Sequence, residues 1–167
     1  MPRVYVGIGS NIDRDVNIRR GVAAIRKIFG KLDLSSVYES EAYGFEGDNF
    51  YNLVAGFETN MPVDKLLDTL RKIEYRFGRR RHEKRFLSRK LDIDLLLYGD
   101  LVQHDDEYDL PRADIIRYSF VLWPLAEIAG DERHPELGKC FTDLWSDFDQ
   151  RNQPLHKINF NMSSGQT

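Results

Sequence analysis

Apolar and polar positions along this chain follow two periods, and each period predicts its own elements. Val4 to Ile8 is a short apolar run closed by Gly9-Ser10-Asn11, which predicts a buried strand. Over residues 16–29, Ile18, Val22, Ile25 and Phe29 share one face and Gly30 follows, which predicts a helix and its stop. Residues 32–40 and 50–58 read as strands on either side of a polar, Gly-containing loop, 41–49. The clearest helix is 62–77: Pro62 sits in the first turn, Val63, Leu66, Leu67, Leu70, Ile73 and Phe77 line one face, and Gly78 ends it. Leu95 to Tyr98, bounded by Gly99, predict a strand over 92–98. Residues 118–129 read as a short helix despite Pro124, and the polar tail 151–167 is expected to be poorly ordered.

The order β-α-β-β-α-β matches the ferredoxin-like plan. The expected class is therefore α+β, a sandwich of mostly antiparallel sheet with helices packed against it. Those helices are expected to cover one sheet face and leave the other to loops and ligands. A chain of 167 residues suits one domain, placed at 1–150 with 151–167 as its tail.

Charge alters this picture locally. The net charge of −3 makes the whole chain a poor polyanion binder, but the signs are segregated. Residues 79–90 carry seven Lys/Arg and one acid, whereas 100–109 carry five acids and no Lys/Arg. Segregation of this kind points to a local anion site. Cys140 is the single cysteine, and no His/Cys spacing suggests zinc. His82, His104, His134 and His156 are scattered and suggest no shared site. The start MPRVYVGIGSN has no long apolar core and no stretch approaches a membrane span, so a cytoplasmic protein is expected.

The candidate chemistry centres on Arg89-Lys90-Leu91-Asp92-Ile93-Asp94. Alternate strand residues share a face, so Asp92 and Asp94 point together. Two adjacent carboxylates repel, and a hard cation such as Mg²⁺ relieves that repulsion while accepting phosphate oxygens at its open positions. The Arg-rich segment beside them suits phosphate. Salt bridges within the segment are the structural alternative. Phe50 and Asn52 also share a strand face. An aromatic ring can stack on a flat heterocycle while an amide matches its edge, and Phe120 could supply a second ring. Core packing is the alternative for all three. Glu74 reads either as a solvated helix charge or as a contact to Arg81 or a ligand. Gly7-Ile8-Gly9-Ser10-Asn11 is a glycine turn, but the chain has no P-loop and no dinucleotide fingerprint.

Taken together, GIGSN, YESEAYGFEGDNFYN, RKLDIDLLLYG and FVLWPLAEIA resemble the 6-hydroxymethyl-7,8-dihydropterin pyrophosphokinase family of folate biosynthesis, over about residues 3–130. The resemblance implies transfer of a pyrophosphoryl group from ATP to the pterin hydroxymethyl oxygen, with release of AMP. It implies Asp92 and Asp94 as ligands of Mg²⁺, expected as two ions. It implies Phe50 and Phe120 as a pterin sandwich, Asn52 reading the pterin edge, and Ser40 and Tyr43 lining the pocket. Glu74, Arg81, Arg85, Arg89 and Arg112 fall on the nucleotide side, with Arg81 and Arg89 counted as catalytic beside the Asp pair. The expected partners are a pterin and ATP, with no nucleic acid, no membrane and a monomeric chain. Some positions depart from the family. Its Trp-Gly-Pro run is Phe86-Leu87-Ser88, its Pro-His is Pro111-Arg112, its Thr-Pro-Pro is Ser40-Glu41-Ala42, and Tyr118 stands where an Arg is usual. A weak or inactive paralogue that binds a pterin or nucleotide is therefore a second reading. An RNA-binding module on the same sheet plan is a third, disfavoured by the negative charge and the missing aromatic run.

Overall fold

The computed structural model describes residues 1–41, 48–78 and 90–163. β1 (Arg3–Ser10) leads into α1 (Arg14–Phe29), followed by β2 (Asp33–Leu34), β3 (Val37–Ser40), β4 (Phe50–Glu58), α2 (Val63–Arg76) and β5 (Asp92–Tyr98). The expected strand over 32–40 is thus two pieces. Ser35 divides them because its hydroxyl accepts the Val54 N–H (2.9 Å) and so replaces a ladder bond. β6 (Gln103–His104) and β7 (Asp109–Leu110) close the acidic excursion as a small antiparallel ribbon. The Asp105 carboxylate holds its turn by accepting the N–H groups of Glu107 and Tyr108, each at 2.9 Å. Then come α3 (Asp114–Arg117), α4 (Ser119–Ala129), α5 (Phe141–Asp147), a 3₁₀ turn (Gln150–Asn152) and β8 (His156–Ile158).

The strands run in the order β5-β1-β4-β3-β8, with β2 also on β4, and the pairings within this sheet are antiparallel. β1 is central. It pairs along its whole length with β4, from Arg3 opposite Glu58 to Ser10 opposite Tyr51. The split β-α-β arrangement expected from the sequence is therefore present.

The two sheet faces build two cores. Val4, Val6 and Ile8 of β1 pack with Ile18, Val22 and Ile25 of α1 and with Leu66, Leu70 and Ile73 of α2. Tyr5, Val54, Leu96 and Leu97 pack on the other side with Ile115, Val121, Leu122, Leu125 and Phe141 from the three later helices. The expectation that one face stays free of helices is thus corrected. The stretch 118–129 does form a helix, but its apolar side needs burial and the sheet's second face supplies it.

The tail also differs from expectation as far as residue 163, while 164–167 lie outside the described residues. β8 adds an edge strand to β3, with Val37 opposite Ile158 and Glu39 opposite His156. Beyond it, Phe160 meets Tyr51 edge-on at 5.9 Å between centroids, and Arg19 lies over the Phe160 ring at 4.6 Å. The Arg19 Nε–H donates to the Asn161 carbonyl at 2.8 Å. Short polar strands of this kind carry little periodicity, but they cover an edge that would otherwise expose a row of backbone groups.

A chain ending at Gln153 is expected to keep its helix signal but lose about 1–2 kcal/mol, or several degrees in Tm, because ladder bonds and the Phe160 cover are removed. Thermal unfolding followed by circular dichroism checks this, and an unchanged Tm contradicts the role given to the tail.

Candidate functional site

The alternation along β1 explains where a site can exist. On the second face β1 runs Tyr5, Gly7, Gly9, so its own side chains vanish toward the strand's end and leave room for groups from its neighbours. β5 delivers the carboxylates to this glycine stretch. Ile93 and Leu95 point into the first core, while Asp92 lies opposite Gly9 and Asp94 opposite Gly7. The ladder then slips: Val6 pairs with Leu95 and Tyr5 with Leu97, leaving Leu96 as an extra residue. This β-bulge breaks the alternation, so Leu96 and Leu97 both join the second core.

Across β1 lies β4, where Asn52 is opposite Gly9. A Cβ at Gly9 would come within 2.7 Å of the Asn52 Oδ1, so the amide rests where only glycine leaves room. The Asn52 Nδ2 donates to the Ser40 Oγ at 3.0 Å, and Ser40 is in turn opposite Phe50. Asp92, Asp94, Asn52, Phe50 and Ser40 therefore share one end of one sheet face. Tyr43, Arg81, Arg85 and Arg89, together with Phe86-Leu87-Ser88, lie outside the described residues.

Phe120 starts α4, which covers the neighbouring part of this face. It stacks with Tyr118 at 5.1 Å between centroids and 20° between planes. The start of α4 is held by a residue the sequence did not single out. Gln153 accepts the Ser119 N–H through its side chain (2.9 Å), and its carbonyl accepts the Ser119 hydroxyl (3.0 Å). Its amide nitrogen donates to the Arg117 carbonyl (2.7 Å). Farther along α4, the Glu127 carboxylate accepts the Tyr38 hydroxyl (2.6 Å), the Ser36 N–H (2.9 Å) and the Ser36 hydroxyl (2.7 Å). Burial pushes Glu127 up, but these donors outweigh it and hold the carboxyl below its ordinary value. Neither contact has a local sequence signal, because both partners lie far away along the chain.

Of the residues expected on the nucleotide side, Glu74 and Arg112 stand beside the outer edge of β5. Glu74 is not a solvated helix charge: it is 4% exposed, and its carboxylate accepts the Ile93 N–H at 2.8 Å. It thereby occupies an edge donor between the two aspartates. The Arg112 N–H donates to the carbonyl of the bulged Leu96 at 3.0 Å, which ties the segment before α3 to the same edge. The Arg112 guanidinium lies 3.6 Å from Asp94 and 3.1 Å from Asp114, which is buried. Burial works against its charge, but Asp94, Asp114 and Asp92 outweigh that effect and hold its pKa above the ordinary arginine value. A cleft of about 450 Å³ opens here, with Arg71, Glu74, Asp94, Tyr108, Asp109 and Arg112 on its walls. Among the described residues no three His, Cys, Asp or Glu side chains form a metal cage. The aspartate pair instead offers two carboxylates at adjacent positions along β5, and a hard cation held by so few protein ligands keeps coordination positions for water or phosphate.

The far wall of the cleft is braced by His104. Its Nδ1 lies 2.7 Å from Asp109 and its Nε2 2.7 Å from Glu136. The hydrogen bonds to Glu136 and Asp109 raise its pKa above the ordinary 6.5. Because the folded value is the higher one, this link contributes fully below pH 6.5 and is lost as pH rises through the raised folded value. An NMR titration of the His104 ring is expected to give a midpoint above 6.5 that falls in Glu136→Gln, and a midpoint at or below 6.5 contradicts the brace.

Comparison with known proteins gives this geometry a context. The family described as 7,8-dihydro-6-hydroxymethylpterin-pyrophosphokinase matches residues 5–130. The chain is 35% identical over 137 residues to 2-amino-4-hydroxy-6-hydroxymethyldihydropteridine pyrophosphokinase of Aquifex aeolicus, covering 81% of this chain and 85% of that protein. It is also 35% identical over 153 residues to the protein of the same name from Haemophilus influenzae, covering 86% and 95%. The crystal structure of wild-type Plasmodium falciparum HPPK-DHPS superposes with a TM-score of 0.65 at 14% identity, covering 90% of this chain and 45% of that one. An HPPK-DHPS structure in complex with substrates gives 0.66 at 12%, covering 87% and 43%. At these identities the two structures speak to the fold alone, and the chain spans less than half of each. The length and identity of the sequence matches settle the relationship: the chain belongs to the 7,8-dihydro-6-hydroxymethylpterin-pyrophosphokinase family.

Proposed function

We propose that this chain transfers a pyrophosphoryl group from ATP to the hydroxymethyl oxygen of 6-hydroxymethyl-7,8-dihydropterin and releases AMP, within folate biosynthesis. Family membership supports the reaction. The single observation that carries its location is the row Asp92–Gly9–Asn52 across three strands, which sets an acidic pair beside an amide on one sheet face.

In this reading, Phe50 and Phe120 sandwich the pterin. Asn52 matches the donors and acceptors on its edge, and the Ser40 hydroxyl fixes the amide's orientation. The triphosphate enters the cleft beside β5, where the Arg112 guanidinium takes phosphate oxygens bidentately. Asp92 and Asp94 would hold Mg²⁺, expected as two ions, which when bound neutralises phosphate charge and helps orient an in-line displacement. The pterin hydroxyl oxygen forms a bond to the β-phosphorus while the bond from that phosphorus to the α–β bridging oxygen breaks. AMP departs with that oxygen, and the hydroxyl proton passes to solvent. A loose transition state needs little help from a base, so the chain contributes mainly position and charge. Glu74 serves the site indirectly, because its bond to the Ile93 N–H fixes β5 between the two aspartates. Arg81, Arg85, Arg89 and Tyr43 complete the proposed set by sequence position alone. The reading also includes a cytoplasmic monomer. Among the described residues, no helix is long and apolar enough to cross a membrane.

Separating the products of protein, MgATP and the pterin tests the reaction. Pterin-dependent AMP is expected, and ADP contradicts pyrophosphoryl transfer. Pterin binding without any nucleotide product points instead to a binding paralogue. Asp92→Asn and Asp94→Asn are each expected to lower kcat by about 10²–10³ or more, since a preorganised charge interaction is lost. Unchanged turnover in either removes that residue from the site.

Gln153→Ala should raise the pterin KM several-fold and leave the ATP KM nearly unchanged, because it loosens the start of α4 under Phe120. Equal changes in both constants contradict this positioning role.

A further inference from the structure

Arg112 is held more firmly than a phosphate contact alone requires. Its guanidinium bridges Asp94 (3.6 Å) and Asp114 (3.1 Å), and its backbone N–H is fixed on the Leu96 carbonyl (3.0 Å). Asp114 is 5% exposed and Arg112 only partly exposed, so the bridge lies at the cleft wall and is shielded from bulk screening. An arginine cannot lose its charge in this range of conditions. A permanent cation therefore stands on the carboxylate proposed to hold metal.

We propose that Arg112 is a resident counter-cation of the Asp92–Asp94 pair, competing with divalent metal for Asp94 and making metal loading depend on arrival of the triphosphate. The proposal rests on the reading of these aspartates as metal ligands. Without nucleotide, a divalent ion at Asp94 must displace the guanidinium or sit beside it, and both cost Coulomb energy in a half-buried site. A triphosphate in the cleft changes the sign of the encounter. Its oxygens accept from the guanidinium and coordinate the metal, so two mutually repelling cations gain a shared anionic partner. Asp114 keeps Arg112 at the cleft wall during this exchange, so the guanidinium moves from one anion to another without leaving the site. Part of the pair's charge is offset before substrate binds, and the metal is acquired together with the nucleotide.

The test is Mn²⁺ binding to the intact chain, read by electron paramagnetic resonance, with and without a non-hydrolysable ATP analogue. Without nucleotide, Arg112→Gln is expected to bind Mn²⁺ about tenfold tighter than the wild type, equal to about 1.4 kcal/mol. Arg112→Lys, which keeps the charge, should remain near the wild type. With the analogue, the gain in Arg112→Gln should vanish or reverse. Equal nucleotide-free affinity in wild type and Arg112→Gln overturns the proposal, as does equal tightening in the Gln and Lys variants, which assigns the effect to packing. Should Arg112→Gln fail to fold, the wild type supplies the readout: nucleotide-free Mg²⁺ is expected to shift the Arg112 Nε–H resonance, and an unmoved resonance at saturating metal overturns the proposal. Asp94→Asn separates the two levels of the argument. Mn²⁺ affinity unaffected by that change removes the metal-ligand reading itself.

Discussion

The structure depends on a steric constraint in its central strand. β1 pairs with strands on both sides, so its side chains decide what each face of the sheet can be. On one face they are Val4, Val6 and Ile8, and that face is core throughout. On the other they shrink from Tyr5 to Gly7, which lies under the core residue Leu96, and Gly9, which lies under the Asn52 amide. This glycine stretch is flanked by Asn52, whose amide lies over the buried Gly9, on one neighbour and by Asp92 and Asp94 on the other. The same decrease in size along one strand thus makes room for the groups of the proposed site.

Electrostatics then act at the sheet's edge. Among the described residues β5 has no strand on its outer side, and edge strands normally need cover. Here the cover is chemical as well as structural: a buried Glu74 takes one N–H, and the Arg112 segment takes the bulge carbonyl. Both groups thereby stand beside the aspartate pair and on the wall of the same cleft. The acidic ribbon of β6 and β7 closes that wall, braced by His104 between two carboxylates. Fold stability and the proposed ligand chemistry share these contacts, so mutations here are expected to affect both, and each variant needs a stability measurement beside its kinetics.

The sequence made the long periodic elements legible. α1, α2, β1, β4 and β5 lie within a few residues of their expected bounds, because several apolar residues per element repeat the same period. The shared orientation of Asp92 and Asp94 was legible for the same reason. The second half of β5 was not, because the bulge at Leu96 reverses the alternation and a local pattern cannot count residues on the opposing strand. For Glu74 a surface charge and a site contact both stayed open, because the Ile93 N–H that its carboxylate accepts is distant in sequence. β8 and α5 are short and mostly polar, and Gln153 gains its meaning only once α4 is in place. The composition of the tail suggested disorder; its contacts with β3, Tyr51 and Arg19 are tertiary and invisible to composition.

The claim that the glycine stretch makes room for the proposed site is tested most directly by pterin binding to Gly9→Ala, measured by calorimetry. The added Cβ meets the end of the Asn52 side chain, which can yield, so the fold should persist. The expected result is native-like unfolding with pterin affinity reduced about tenfold or more, equivalent to the loss of a good buried hydrogen-bonding contact. Wild-type affinity in a variant that carries this methyl group would contradict the claim, because the amide would then have no part in holding the ligand.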